Sequence, residues 1–287
     1  MSPTPHVASH TAAHTASPNP RPASTAPGVT PYLAARPDRT ARLRLFCFHH
    51  AGGSGSVFAD WQAALGPGVS VQPVQLPGRE RRVREPRITD MARLIPELDR
   101  HLDPHLDQPY AVYGHSMGAL VAWHLVLHRR AAGRRLPEAL IVGACNPPHQ
   151  PPLSAQTRGM SRDGLVAWMQ AMGGISDLVL RYPEWVDAAV GLLRDDLALC
   201  NSHPHAEQSA LPPAPLPVPL FGFAGRDDAG VGPEAMDGWR RYTDAAGDIY
   251  PVPGGHLFFR DSPAQFLSRL RSLLTRLGGD QAGREGN

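Results

Sequence analysis

The chain has 287 residues, 42% of them hydrophobic, enough for a sizeable core and one large domain with an insertion. A formal net charge of +2 at pH 7 is too small to make nucleic acid the main partner. No apolar run approaches a membrane span, no basic-then-apolar leader opens the chain, and the scattered Cys47, Cys145 and Cys200 fit neither a metal site nor a disulfide framework. These features read as a cytoplasmic monomer with no membrane or nucleic-acid partner.

In chain order, residues 1–36 are rich in Pro, Ser, Thr, Ala and His without hydrophobic periodicity, and are expected to form a disordered tail. His6, His10 and His14 recur every four residues, but the surrounding prolines argue against a metal-binding helix, and no metal is expected. The domain is expected over 37–277. "RLRLFCFHH" (42–50) and "VSVQPVQLPG" (69–78) read as strands, "MARLIPELDRHL" (91–102) as a helix, "YAVYG" (110–114) as a strand and "GALVAWHLVLHRR" (118–130) as an apolar helix. Strands follow at 138–146, 218–225 and 248–255, and an amphipathic helix at 263–277 closes the domain; 278–287 is expected to fray. Strands alternating with helices predict an α/β fold, a mostly parallel sheet covered on both faces. Between about 147 and 215 the rhythm breaks. "SRDGLVAWMQAMGG" (161–174) and "PEWVDAAVGLLRDDLALC" (183–200) predict a helical insertion of the kind that forms a lid.

"GHSMG" (114–118) fits G-x-S-x-G between an apolar strand and an apolar helix, the setting of a nucleophile elbow. Ser116 is therefore the candidate nucleophile, and a serine hydroxyl needs a base. His256 in "PGGHLFF" lies just past the last strand, and the glycines before it would let its loop approach the serine. The acid should lie in "FAGRDDAGV" (223–231), where Asp228 is favoured over Asp227, giving the order Ser, acid, His. His115 is expected to point away from the nucleophile, and His49 and His50 to be structural or pocket-lining. Two backbone N–H groups, of Met117 and of Ala51 in the glycine loop "HHAGGSGSVF" (49–58), are the candidate oxyanion hole. That loop lacks a following G-K-[ST], which disfavours a phosphate site.

Together "FCFHHAGGSGSVF", "LPGRERRVREP", "YGHSMGAL", "LRDDLAL", "FGFAGRDD" and "PGGHLFF" resemble, over residues 42–277, the type II thioesterases of polyketide and nonribosomal peptide assembly lines. Leu257 stands where that family often has Phe. The resemblance implies an α/β-hydrolase core with a helical lid, a triad of Ser116, Asp228 and His256, oxyanion donors at Ala51 and Met117, and no cofactor. It also implies hydrolysis of acyl thioesters on the phosphopantetheine arm of acyl or peptidyl carrier proteins, clearing misprimed or stalled units. A general serine esterase or lipase on the same fold, a catalytically silent carrier-docking protein and a chain-terminating cyclase are the alternatives. The arginines of "GRERRVREPR" (78–87) would either steer an acidic carrier or pair with Glu80 and Glu85 in a solvated loop. Trp168, Met169 and Met172 would either line an acyl channel or pack lid against sheet, while Trp185, Asp195 and Asp196 are expected to be structural in the lid.

Overall fold

The computed structural model describes residues 30–202 and 214–284. Six strands form one sheet: β1 (Leu43–Phe48), β2 (Val69–Pro73), β3 (Tyr110–His115), β4 (Ala139–Gly143), β5 (Leu220–Gly225) and β6 (Gly247–Val252). They are ordered β2-β1-β3-β4-β5-β6, and every pairing is parallel. β1, β3, β4 and β5 are buried at every position, because helices cover both faces, so they read as apolar runs rather than as an alternation. The alternation survives in where the side chains go. Phe46, Tyr110, Val112 and Leu220 enter one core, whereas Leu45, Ala111, Tyr113 and Phe221 enter the other.

The first face carries α2 (Met91–Leu102) and α3 (Met117–Ala131), whose Leu98 and Trp123 join its core. α1 (Trp61–Leu65) and the C-terminal helix cover the second face with Trp61, Phe266 and Leu270. Full burial of one such aromatic or aliphatic side chain contributes about 1.5–3 kcal/mol.

Between β4 and β5 the chain forms α4 (Arg162–Ala171), α5 (Asp177–Leu180) and α6 (Pro183–Asn201). Leu165 and Met169 of α4 pack on Val186, Val190, Leu193 and Leu197 of α6, giving this insertion a small core of its own. Residues 203–213, also within the expected insertion, lie outside the described residues. α7 (Pro233–Asp237) follows β5 and places Met236 in the first core. α8 (Phe258–Asp261) and α9 (Pro263–Arg284) follow β6.

Two expectations about the ends need correction. Residues 1–29, with His6, His10 and His14, lie outside the described residues, but 30–36 are no tail. Tyr32 is fully buried, its hydroxyl donates to Glu97 at 2.7 Å, the Arg82 guanidinium lies 4.1 Å from its ring centroid, and Leu33 bridges to Val74. The partners that anchor this segment lie 40 or more positions away, which a local reading cannot see. At the other end α9 does not stop at Leu277 but runs to Arg284, since an established helix gains one hydrogen bond for each residue it adds. No helix among the described residues is long and apolar enough to cross a membrane.

Candidate active site

The turn between β3 and α3 holds Ser116 at φ 54° and ψ −115°, a region that non-glycine residues avoid. Its N–H donates to the Gly143 carbonyl at 2.8 Å, and its own carbonyl accepts from Ala119 at 2.9 Å, which fixes the turn from both sides. The flanking glycines have separate reasons. A Cβ at Gly114 would run into the Gly118 carbonyl, and one at Gly118 would run into the Phe48 carbonyl at the end of β1. The motif therefore records two close backbone approaches, the second of which sets the glycine loop beside the turn.

His256 sits on the loop after β6. Its Nε2 accepts from the Ser116 hydroxyl at 3.1 Å, and its Nδ1–H donates to Asp228 Oδ2 at 2.8 Å. Asp228 Oδ1 accepts the N–H groups of Gly230 (2.9 Å) and Val231 (3.1 Å). The Asp228 side chain is fully buried. Burial raises its pKa, but the hydrogen bond and charge of His256, helped by the two backbone donors, outweigh that and hold it below the ordinary carboxylate value. An ionised, immobilised carboxylate keeps the imidazole proton on Nδ1 and leaves Nε2 basic toward the serine. Asp227 does different work: its N–H donates to the Gly254 carbonyl at 3.0 Å and its Oδ2 accepts from the Gly254 N–H at 3.2 Å, tying the acid turn to the histidine loop.

His115 points away from the nucleophile, into the core behind it. Its Nε2–H donates to the His256 carbonyl at 2.7 Å, so its Nδ1 accepts from the Tyr113 hydroxyl at 2.9 Å. Burial, with the nearby His256 and His50, pushes its pKa well below the ordinary value and keeps it neutral. It thereby holds the backbone of His256, a positioning role that its place next to Ser116 in sequence does not disclose. Burial likewise lowers His49 and His50 to about 3 each, with the Arg79 charge adding to it at His49 and the neighbouring His49 and His256 at His50.

Ala51 and Met117 border the same cavity as Ser116. Met117 is the first residue of α3, so its N–H has no acceptor within the helix. The loop carrying Ala51 is fastened by α6 of the insertion. Gly52 N–H donates to Asp196 Oδ2 of α6 at 2.8 Å, and Arg79 clamps the same carboxylate with Nη1 at 2.9 Å and Nη2 at 2.7 Å. Arg79 Nη1 also donates to the Gly53 carbonyl at 3.1 Å. Both side chains are almost wholly buried, at 5% and 2% exposure, so Asp196 is more than a lid-structural residue. "LPGRE" and "LRDD" were the available signals, but nothing in the sequence links positions 117 apart.

Three of the five arginines at 78–87 have carboxylate partners, and of these pairs only that of Arg79 is buried on both sides. Arg79 goes to Asp196, Arg82 to Glu85 at 2.7 Å, and Arg87 to Asp195 at 2.7 Å. Trp168, Met169 and Met172 line a cavity that contains Ser116 and His256, and Trp168 and Met169 also pack in the small core of the insertion. Among the described residues, no group of three or more His, Cys, Asp or Glu side chains is arranged to hold a metal ion.

The Thioesterase domain family model matches residues 43–274, most of the chain. The chain belongs to the thioesterase family. It is a thioester hydrolase, and its relatives include type II thioesterases of polyketide and nonribosomal peptide pathways and medium-chain S-acyl fatty acid synthase thioesterases. RedJ, a thioesterase from the prodiginine biosynthetic pathway of Streptomyces coelicolor, superposes with a TM-score of 0.74 at 33% identity, covering 88% of this chain and 96% of RedJ. BorB, the type II thioesterase of the borrelidin biosynthetic cluster, superposes with a TM-score of 0.71 at 29% identity over 84% of this chain and 96% of BorB. The gramicidin S biosynthesis protein GrsT of Aneurinibacillus migulanus is 27% identical over 236 residues, 82% of this chain and 90% of GrsT. The sheet and its helices are thus those of an α/β-hydrolase-type thioesterase.

Proposed function

We propose that this thioesterase removes acyl groups from the phosphopantetheine arm of acyl or peptidyl carrier proteins, clearing aberrant or stalled units from an assembly line, through a Ser116–His256–Asp228 acyl-enzyme mechanism. The observation that carries the mechanism is the unbroken hydrogen-bonded chain from Asp228 through His256 to the Ser116 hydroxyl. Ser116 Oγ attacks the thioester carbonyl while His256 Nε2 takes its proton. The oxyanion is received by the N–H groups of Met117 and Ala51, each such donor worth on the order of 3 kcal/mol. When the intermediate collapses, the C–S bond breaks, its electron pair goes to sulfur, and the imidazolium returns its proton to that sulfur. A thiol with a pKa of about 8.5 leaves readily. Water then enters and gives a proton to His256 as its oxygen attacks the acyl carbon; the bond to Ser116 Oγ breaks, the imidazolium returns the proton to that oxygen, and the acid is released.

In this reading α4 and α6 are the lid: they roof the serine, and Asp196 ties the roof to the glycine loop that carries Ala51. The carrier-protein assignment draws support from the names of the relatives, which belong to prodiginine, borrelidin and gramicidin S biosynthesis. The test is hydrolysis of one acyl group presented on a carrier protein and on a small thiol. Higher kcat/KM on the carrier, abolished by Ser116→Ala, is the expected result. Equal rates on the small thiol and on a plain oxygen ester would identify a general esterase instead.

A further inference from the structure

The loop at 78–87 divides its charges into two groups. Arg79, Arg82 and Arg87 take Asp196, Glu85 and Asp195 as partners, and the Arg82 guanidinium also lies over the Tyr32 ring. The carboxylates of the loop are used as well. Glu85 accepts from Arg82, and Glu80 accepts from the Ser56 N–H at 3.0 Å and from the Gln75 amide at 2.7 Å. Arg81 and Arg84 are left over. Both are exposed and neither has a carboxylate partner among the described residues; Arg81 makes one long hydrogen bond, 3.5 Å to the Ala34 carbonyl. Between them Val83 is 65% exposed, against 56% for Leu178, the next most exposed large apolar side chain among the described residues. Two uncompensated guanidinium groups therefore flank an apolar knob.

The backbone presents these three side chains rigidly. Residues Glu80–Arg82 make a single turn of 3-10 helix, entered through Glu80 at a left-handed φ of 48°. The Gly78 N–H donates to the Arg82 carbonyl at 3.0 Å, and Arg82 Nη1 donates to the Gln75 carbonyl at 2.9 Å. With Arg79 and Arg82 turned inward, Arg81, Val83 and Arg84 face outward. A surface ordered in advance loses little conformational freedom when a partner binds. The loop also adjoins the way in to the serine. Exposed Gly52 borders the cavity that holds Ser116 and His256; the next residue, Gly53, accepts from Arg79, and Ser56 donates to Glu80. The outward-facing side chains begin one residue past the groups that fasten this rim.

Guanidinium groups pair best with carboxylates and phosphates. The apolar residue between them favours a protein surface over a polyanion such as nucleic acid, whose phosphates would meet Val83 with no apolar contact. The protein that has to reach this entrance is the carrier. We propose that Arg81, Val83 and Arg84 form a docking surface for an acidic carrier protein, the arginines pairing with its carboxylates and Val83 packing on an apolar side chain between them. This rests on the carrier-protein hydrolysis proposed above.

The test compares a butyryl group loaded on a strongly acidic carrier protein with the same group on a small thiol, using the full chain. Charges at the rim of an interface act on encounter, so Arg81→Glu with Arg84→Glu should lower kcat/KM on the carrier by about tenfold more than on the small thiol, through KM rather than kcat. The wild-type rate on the carrier should fall as salt rises from about 0.01 M to about 1 M, over which the screening length shrinks from about 30 Å to about 3 Å, and the double variant should flatten that fall. Val83→Ser should raise KM for the carrier and keep the salt dependence. Arg271→Glu with Arg276→Glu makes the same change of net charge at two exposed positions of α9. It should leave the carrier rate within about threefold of wild type, because distant surface charges are screened.

A wild-type carrier rate that ignores salt overturns the proposal without any variant, so a misfolded double variant does not shield it. Equal losses on carrier and small thiol in the loop variant overturn it by marking 81–84 as a support of the catalytic loop. An α9 variant that loses as much as the loop variant overturns it in favour of net charge alone. Self-association that the loop variant abolishes, with carrier kinetics unchanged, overturns it in favour of a contact between copies of this chain. If the butyryl group is cleaved and the two substrates respond alike throughout, the docking surface fails and the enzyme assignment stands. If neither substrate is cleaved, the proposed function itself fails.

Discussion

Under the proposed mechanism, the clamp between α6 and the glycine loop predicts that Asp196, distant from Ser116 in sequence, governs the rate of the chemical step. Asp196 accepts three hydrogen bonds: one from the Gly52 N–H and two from Arg79. In Asp196→Ala, Arg79 is left as a nearly buried guanidinium without its anion, and the Gly52 N–H loses its acceptor. Removing one partner of a buried pair costs about 3–5 kcal/mol of stability. The catalytic loss has a different origin. Gly52 follows Ala51 directly, so a loop free to shift by a fraction of an ångström misplaces the Ala51 donor. Full loss of one oxyanion donor lowers kcat by about 10²–10³. Replacing both partners, as Arg79→Met with Asp196→Leu, removes the stranded charge and should restore much of the stability, since apolar substitutes for a buried pair are often neutral. The activity should not return, because leucine cannot accept from Gly52. Denaturant unfolding and steady-state kinetics on the wild type and the two variants separate the two effects. Recovery of kcat together with stability in the double variant would refute the positioning role, as would an Asp196→Ala protein with wild-type kcat.

Three further outcomes follow from the site. Asp228→Asn leaves the geometry nearly intact but permits the wrong imidazole tautomer, so kcat should fall about 10⁴-fold with KM little changed; a loss under tenfold in steady-state assays would contradict the triad. Gly118→Ala forces a methyl group into the Phe48 carbonyl, so the variant should be insoluble or strongly destabilised in thermal melts, whereas Ser116→Gly should be at least as stable as wild type because glycine tolerates a φ of 54°. The third concerns pH. His49, His50 and His115 are kept neutral in the folded state by burial, with pKa values lowered from 6.5 to about 3, to about 3 and to well below 6.5. The unfolded chain gains protons that the folded chain refuses as pH drops below 6.5, so stability is full above that value. It is lost toward acid at about 1.4 kcal/mol per pH unit for each histidine. Asp228 adds to this only below 3.8, because its folded pKa lies lower still. Denaturant titrations at pH 7, 6 and 5 should show a steep fall, and stability that is flat over this range would contradict the neutral burial of these rings.

The strands along the chain, the glycine-flanked serine turn and the positions of Asp228 and His256 after the last two strands were legible because each rests on local chemistry. Apolar runs, glycines and a lone Ser, Asp or His appear beside the element that presents them. What stayed hidden depends on pairs far apart in the chain. Tyr32 looks like part of a proline-rich tail until Glu97 and Arg82 supply its partners. The run at 78–87 looks like a basic surface until Asp195 and Asp196 take up Arg87 and Arg79. His115 gives no sign in sequence that it supports the backbone of the histidine 141 positions later.

The most direct measurement is rapid-quench analysis of the enzyme mixed with an excess of acyl-thioester. If Ser116 is the nucleophile of a proton-shuttling triad, thiol is released before free acid, with a burst of at most one equivalent per site, and the acyl mass is found on the peptide containing Ser116. Acyl mass on another residue, or full turnover by Ser116→Ala, would contradict the account.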